Sequence, residues 1–114
     1  MEILDVVEKI CRAMSDKKAS DIVSLDMREI SLQADYFVIC SANTATQVKA
    51  IAGNIEEKLD EAGIKFLHKE GYQAGEWVLY DYGDVVAHIF KTEAREFYAL
   101  EKLWSDAPIK KFED

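Results

Sequence analysis

The chain has 114 residues, enough for one domain whose core needs neither disulfide nor metal to hold it. It carries 14 basic against 22 acidic residues, a net charge of -8, which disfavours a broad contact with a phosphate backbone and makes a basic protein the natural complement. Apolar residues make up 49% of the sequence and are interleaved with the charges, which argues against an acidic disordered tail.

Residues 2 to about 16 read as a first helix, because Ile3, Val6, Val7, Ile10 and Met14 recur at three- and four-residue steps. Glu2 and Asp5 near its start suit the helix dipole. Ile22 to Asp26 is a short strand. Tyr36 to Cys40 is a longer one, and its unbroken apolar character places it in the middle of a sheet. Between them lies a polar connector with Leu32 as an apolar anchor. Asn43 or Thr44 then caps a second helix with the stripe Ala45, Val48, Ala52, Ile55 and Leu59. Gly63 closes it in the left-handed region, with Ile64 supplying the accompanying apolar contact. Gly53 inside this helix costs about 1 kcal/mol relative to alanine, and close packing on a sheet is one explanation.

A third strand is predicted from Ile64 to His68, followed by a loop containing Gly71 and Gly75. Residues 76–91 then read as a hairpin: apolar and aromatic runs on either side of Asp81-Tyr82-Gly83-Asp84, where glycine supplies the turn's positive φ. Val85-Val86-Ala87 suits a strand covered on both faces. In the preceding strand, Trp77, Leu79 and Asp81 fall on one face and Val78, Tyr80 and Tyr82 on the other. Two covered faces, or one covered and one kept for a partner, would give this pattern; the second is the reading adopted. A third helix runs from Glu93 to about Ser105, with Phe97, Leu100 or Glu101, and Trp104 on one side. Pro108 marks the end of regular structure, and residues 108–114 form a charged tail without structure of its own. The expectation is a single α/β domain over residues 1–107, ordered α-β-β-α-β-β-β-α, with a five-stranded mixed sheet and helices packed on it.

Cys11 and Cys40 each lie in an apolar segment and predict buried free thiols, as in a reducing cytosol. No secretory leader and no membrane span is visible. Asp21, Asp26, Asp35, Asp81 and Asp84 could gather as a metal-dependent transferase site, but Asp81 and Asp84 flank a turn, where aspartate is common for local reasons. No phosphate-binding glycine loop and no nucleophile elbow occurs. His68 and His88 lack metal-ligand spacing, so no metal is expected. His88, inside an apolar strand, reads as a hydrogen-bonded core or partner-facing residue. Phe37, Phe66, Phe90, Phe97 and Trp104 are available to fill the interior, which leaves Trp77, Tyr80 and Tyr82 as candidates for partner contact.

The runs Ser20-Asp21-Ile22-Val23, residues 34–40, residues 77–90 and residues 97–104 resemble the ribosomal silencing factor family, RsfS or Iojap, over nearly the whole chain. The string Asp81-Tyr82-Gly83-Asp84-Val85-Val86-Ala87-His88-Ile89-Phe90 is its most specific part. Ser41-Ala42-Asn43-Thr44 departs from the family, which commonly has a glycine after the first hydroxyl residue. The resemblance implies a nucleotidyltransferase-like fold without the catalytic Gly-Ser and Asp-x-Asp pattern, and no cofactor. It implies a cytoplasmic protein that binds ribosomal protein fourteen of the large subunit and bars the small subunit from joining, lowering translation when nutrients are scarce. A role in large-subunit assembly is implied as well. Carried onto this sequence, the pattern implies Trp77, Leu79 and Tyr80 as anchors, with Glu70, Asp81, Asp84, His88 and Lys91 as their polar surround. An exposed aromatic patch further predicts a weak homodimer when the partner is absent. The alternative reading is a metal-dependent nucleotidyltransferase.

Overall fold

The apolar run expected at the middle of a sheet is there. Strand β2 (Tyr36–Ala42) lies between β1 (Ser20–Asp26), its antiparallel neighbour, and β5 (Val85–Lys91), its parallel one. In this computed structural model, which describes residues 2–32, 34–98 and 107–113, the elements follow in the order α1 (Ile3–Asp16), β1, β2, α2 (Ala45–Glu61), β3 (His68–Glu70), β4 (Trp77–Asp81), β5, α3 (Thr92–Tyr98) and β6 (Ile109–Lys111). They form one mixed sheet of six strands ordered β3-β4-β5-β2-β1-β6.

Helices α1 and α2 cover one face. Val7, Ile10, Cys11 and Met14 from α1 and Val48, Ile51, Ala52, Ile55 and Leu59 from α2 pack against Val38, Cys40, Val78, Tyr80, Ala87 and Ile89 of the sheet. Asn54, also on the buried side of α2, donates from Nδ2 to the Ala13 carbonyl at 2.9 Å and ties the two helices together. Thr44 is the N-cap of α2, its hydroxyl accepting from the Gln47 amide at 3.1 Å. At the other end Gly63, with φ +79°, lets its own amide reach the Asp60 carbonyl and that of Ile64 reach Leu59. Both cysteines are free and buried, and burial pushes the Cys11 thiol up to about 12.

Two expectations about the strands change. The sheet has six strands rather than five, because residues 109–111 pair with Val23, Ser24 and Leu25 instead of trailing free. Edge pairing uses backbone groups, so Lys110 and Lys111 can keep their charges in solvent. Pro108 sits just before the strand, where its missing amide costs nothing. Strand β3 starts at His68, where the expected strand ends. What fixes it to the helix side is Lys69, whose Nζ lies 3.2 Å from Glu56 and 4.3 Å from the Tyr72 ring centre, rather than an apolar run. The expected side of the third helix, with Phe97, Leu100 or Glu101, and Trp104, falls outside the residues whose side chains are described; α3 is described over Thr92–Tyr98.

Gly53 is exposed, and a Cβ built there meets no heavy atom within 4 Å, so close packing does not explain it. Gly71 is the opposite case. It has φ +80°, and a Cβ would lie 1.9 Å from the Trp77 carbonyl oxygen. Gly53→Ala is therefore expected to stabilise the fold by about 0.5–1 kcal/mol and Gly71→Ala to destabilise it by more than about 1 kcal/mol, measured by urea denaturation.

Candidate docking face

Strand alternation divides β4 cleanly. Val78 and Tyr80 are fully buried against the helices, while Trp77, Leu79 and Asp81 are half-buried on the other face. Register extends that second face across the sheet. Trp77 pairs with Phe90, Leu79 with His88 and Asp81 with Val86. Val86, His88 and Phe90 in turn pair with Phe37, Ile39 and Ser41 of β2. Part of this face is closed: Phe90, Ile39, Val23, Leu25 and Met27 form a second core with Ala94 of α3 and Ala107. Trp77, Leu79, Val86 and Phe37 stay half-exposed beside it. The face is therefore an apolar surface on β4, β5 and β2 that neither α1 nor α2 touches.

Acidic groups border it. Glu70 is exposed, stands opposite Leu79 across β3 and β4, and lies 3.2 Å from His68. Asp81 accepts the Gly83 amide at 2.7 Å and so shapes the hairpin turn as well as standing on the face. Asp84 is exposed, and its carbonyl accepts the amides of Asp35 and Tyr36 at 2.7 and 3.1 Å, fastening the turn to the start of β2. Lys91 pairs with Glu76 at 3.7 Å.

Three sequence-derived assignments shift. Tyr80 is separated from Trp77 and Leu79: it has no exposed surface, and its hydroxyl donates to Glu56 on α2 at 2.9 Å. Burial first, then the Glu56 carboxylate, raises the Tyr80 hydroxyl, while the Tyr80 bond leads the causes that hold Glu56 below its usual range. His88 lies on the same face as Trp77 but beneath its surface, 4% exposed, which fits the hydrogen-bonded core reading of its strand rather than a place in the polar rim. Phe37 and Phe66, expected as interior filling, are partly exposed. Phe37, and with it Val86, which was expected in a strand covered on both faces, join the half-exposed face. Only the inter-strand register reveals them.

The face also holds an unusual polar pair. The Trp77 indole Nε1 donates to His88 Nδ1 at 3.0 Å. The acceptor nitrogen carries no proton, so the neutral ring carries it on Nε2. That Nε2 is buried and has no hydrogen-bond partner among the described residues, a cost of about 1–3 kcal/mol. Among the described residues no group of three or more His, Cys, Asp or Glu side chains gathers to hold a metal, and no helix is long and apolar enough to cross a membrane.

Comparison with known proteins bears on what this geometry serves. The family model "Ribosomal silencing factor during starvation", RsfS, matches residues 1–114. The chain belongs to the RsfS family. The ribosomal silencing factor RsfS of Bacillus subtilis is 53% identical over 97 residues, covering 85% of this chain and 82% of that protein. A crystal structure of a Chromobacterium violaceum protein superimposes with a TM-score of 0.90 at 36% identity, covering 92% of this chain and 88% of that one. More distantly, the mouse protein named Mitochondrial assembly of ribosomal large subunit protein 1 is 26% identical, covering 95% of this chain and 47% of its own length. The family match thus spans the strands that carry the face.

Burial lowers the His88 pKa from 6.5 to about 4. The unfolded chain therefore takes up this proton more readily than the folded one, so the contribution to stability is full above 6.5 and is lost as pH falls toward about 4. Chemical denaturation across that window should show the parent chain losing more stability than a His88→Phe variant, which lacks the titrating group.

Proposed function

We propose that the chain is a binding module that docks on ribosomal protein fourteen of the large ribosomal subunit, in the cytoplasm, and there bars the small subunit from joining. The observation that carries this reading is the half-exposed apolar surface of Trp77, Leu79, Val86 and Phe37, bordered by Glu70, Asp81 and Asp84 on a chain with net charge -8. Such a surface suits a basic protein and repels bare phosphate backbone. The names of the relatives point the same way, one to ribosomal silencing and one to assembly of a ribosomal large subunit.

The mechanism is occlusion and asks for no bond to be made or broken. A stable interface of standard size buries roughly 800 Å² on each partner, within reach of one sheet face and its rim. A bound body with extents of 34 × 33 × 27 Å is an obstacle wherever two subunits must meet closely. Trp77 and Leu79 are the anchors. Glu70, Asp84 and Lys91 act from the rim, and Asp81 both shapes the turn and faces the partner. Tyr80 supports the strand from behind through Glu56. The fold is read as related to nucleotidyltransferases without their chemistry. When no ribosomal partner is present, the same face covers itself weakly against a second copy.

Tagged protein in lysate should sediment with free large subunits and be absent from joined ribosomes; sedimentation with joined ribosomes would contradict occlusion. In pull-downs with purified ribosomal protein fourteen, Trp77→Ala should weaken binding by about 2 kcal/mol or more, near thirtyfold. Tyr80→Phe, which loses only the Glu56 bond, should bind as the parent does while melting lower. Unchanged binding by folded Trp77→Ala would remove this face from the interface.

A further inference from the structure

An imidazole at position 88 is not what packing asks for. The ring is boxed in by Phe37, edge-on at 4.8 Å, by Phe90 at 6.2 Å and by Trp77 at 5.8 Å. An apolar side chain of similar size would fill that space and leave no orphaned nitrogen. What an apolar side chain could not do is accept the Trp77 indole proton. The indole already stacks on Phe90, with centres 4.9 Å apart and planes 26° apart. Stacking leaves an aromatic ring free to slide or turn within its plane, whereas a hydrogen bond of 3.0 Å to a fixed nitrogen does not. His88 is fixed in turn by its place on β5, at the centre of the sheet between β4 and β2. The half-exposed ring of the face is thus held by a buried one that cannot itself reach a partner.

We propose that His88 is a positioning residue, which sets the orientation of Trp77 before docking so that the anchor is ordered in the free protein. The inference rests on the docking reading above and adds to it a residue that acts through Trp77 alone. Ordering a large side chain in advance removes that entropic cost from association. The orphaned Nε2 then has a reason: fold stability is given up to keep an acceptor under the anchor.

The test compares His88→Phe with the pair His88→Gln and His88→Met. Glutamine and methionine are alike in size, but only the first offers a good acceptor, so a folding loss in the phenylalanine variant does not decide the matter. Exchange of the Trp77 indole proton is read by ¹⁵N NMR, with Trp77→Phe to assign the signal against Trp104. Retention on purified large ribosomal subunits is read alongside. The expected result is faster indole exchange and about tenfold weaker retention for His88→Phe and His88→Met, with both partly restored in His88→Gln and no loss of thermal stability in His88→Phe. Unchanged indole exchange in the phenylalanine and methionine variants overturns the inference. So does altered exchange with unchanged retention, provided Trp77→Ala loses retention. If Trp77→Ala is retained like the parent, the docking reading falls and this inference falls with it.

Discussion

The open face of the sheet depends on the two-residue alternation of β4 in fixed register with β5. Val78 and Tyr80 turn toward α1 and α2 and are sealed there, which obliges Trp77, Leu79 and Asp81 to turn the other way. A slip of one residue would send Tyr80 and Val78 to the open face and drive Asp81 into an apolar core, so the register is strongly specified. The turn at Asp81–Asp84 locks it locally, and the Asp84 carbonyl locks it to β2. Gly71 matters for the same reason: only a residue without a Cβ lets the preceding loop close onto the Trp77 carbonyl.

The two faces of the sheet do different work because they are covered differently. The helix face is a conventional core, with buried thiols, the Asn54 bond and the Tyr80–Glu56–Lys69 cluster at its margin. Among the described residues the other face is closed only in part, by Ala94 of α3 and by Ala107. Large side chains stay half-exposed there, with carboxylates around them and a buried histidine beneath the largest, and this is the surface proposed above for a partner.

Much of this was legible in the sequence. The helical stripes of α1 and α2, the cap at Thr44, the stop at Gly63, the hairpin and the central place of β2 all follow from periodicity and turn chemistry, which act over a few residues. The separation of Trp77 and Leu79 from Tyr80 was also visible as parity along one strand. The family pattern set parity aside by grouping all three, and the structure restores it. What was not legible depends on contacts distant in sequence. Strand β6 exists because β1 offers a free edge, not because Ile109–Lys111 is apolar. Phe37 and Val86 join the face through inter-strand register. The apolar strand around His88 already allowed a hydrogen-bonded core residue, but that its partner is the Trp77 indole depends on the pairing of β4 with β5.

As proposed, occupation of this face by a ribosomal partner keeps the two subunits apart. Light scattering of purified large and small subunits measures their joining directly. With saturating chain preincubated on the large subunits, joining should be strongly suppressed, and Trp77→Ala at the same concentration should restore it. Joining that proceeds equally well with and without the parent chain would contradict the account.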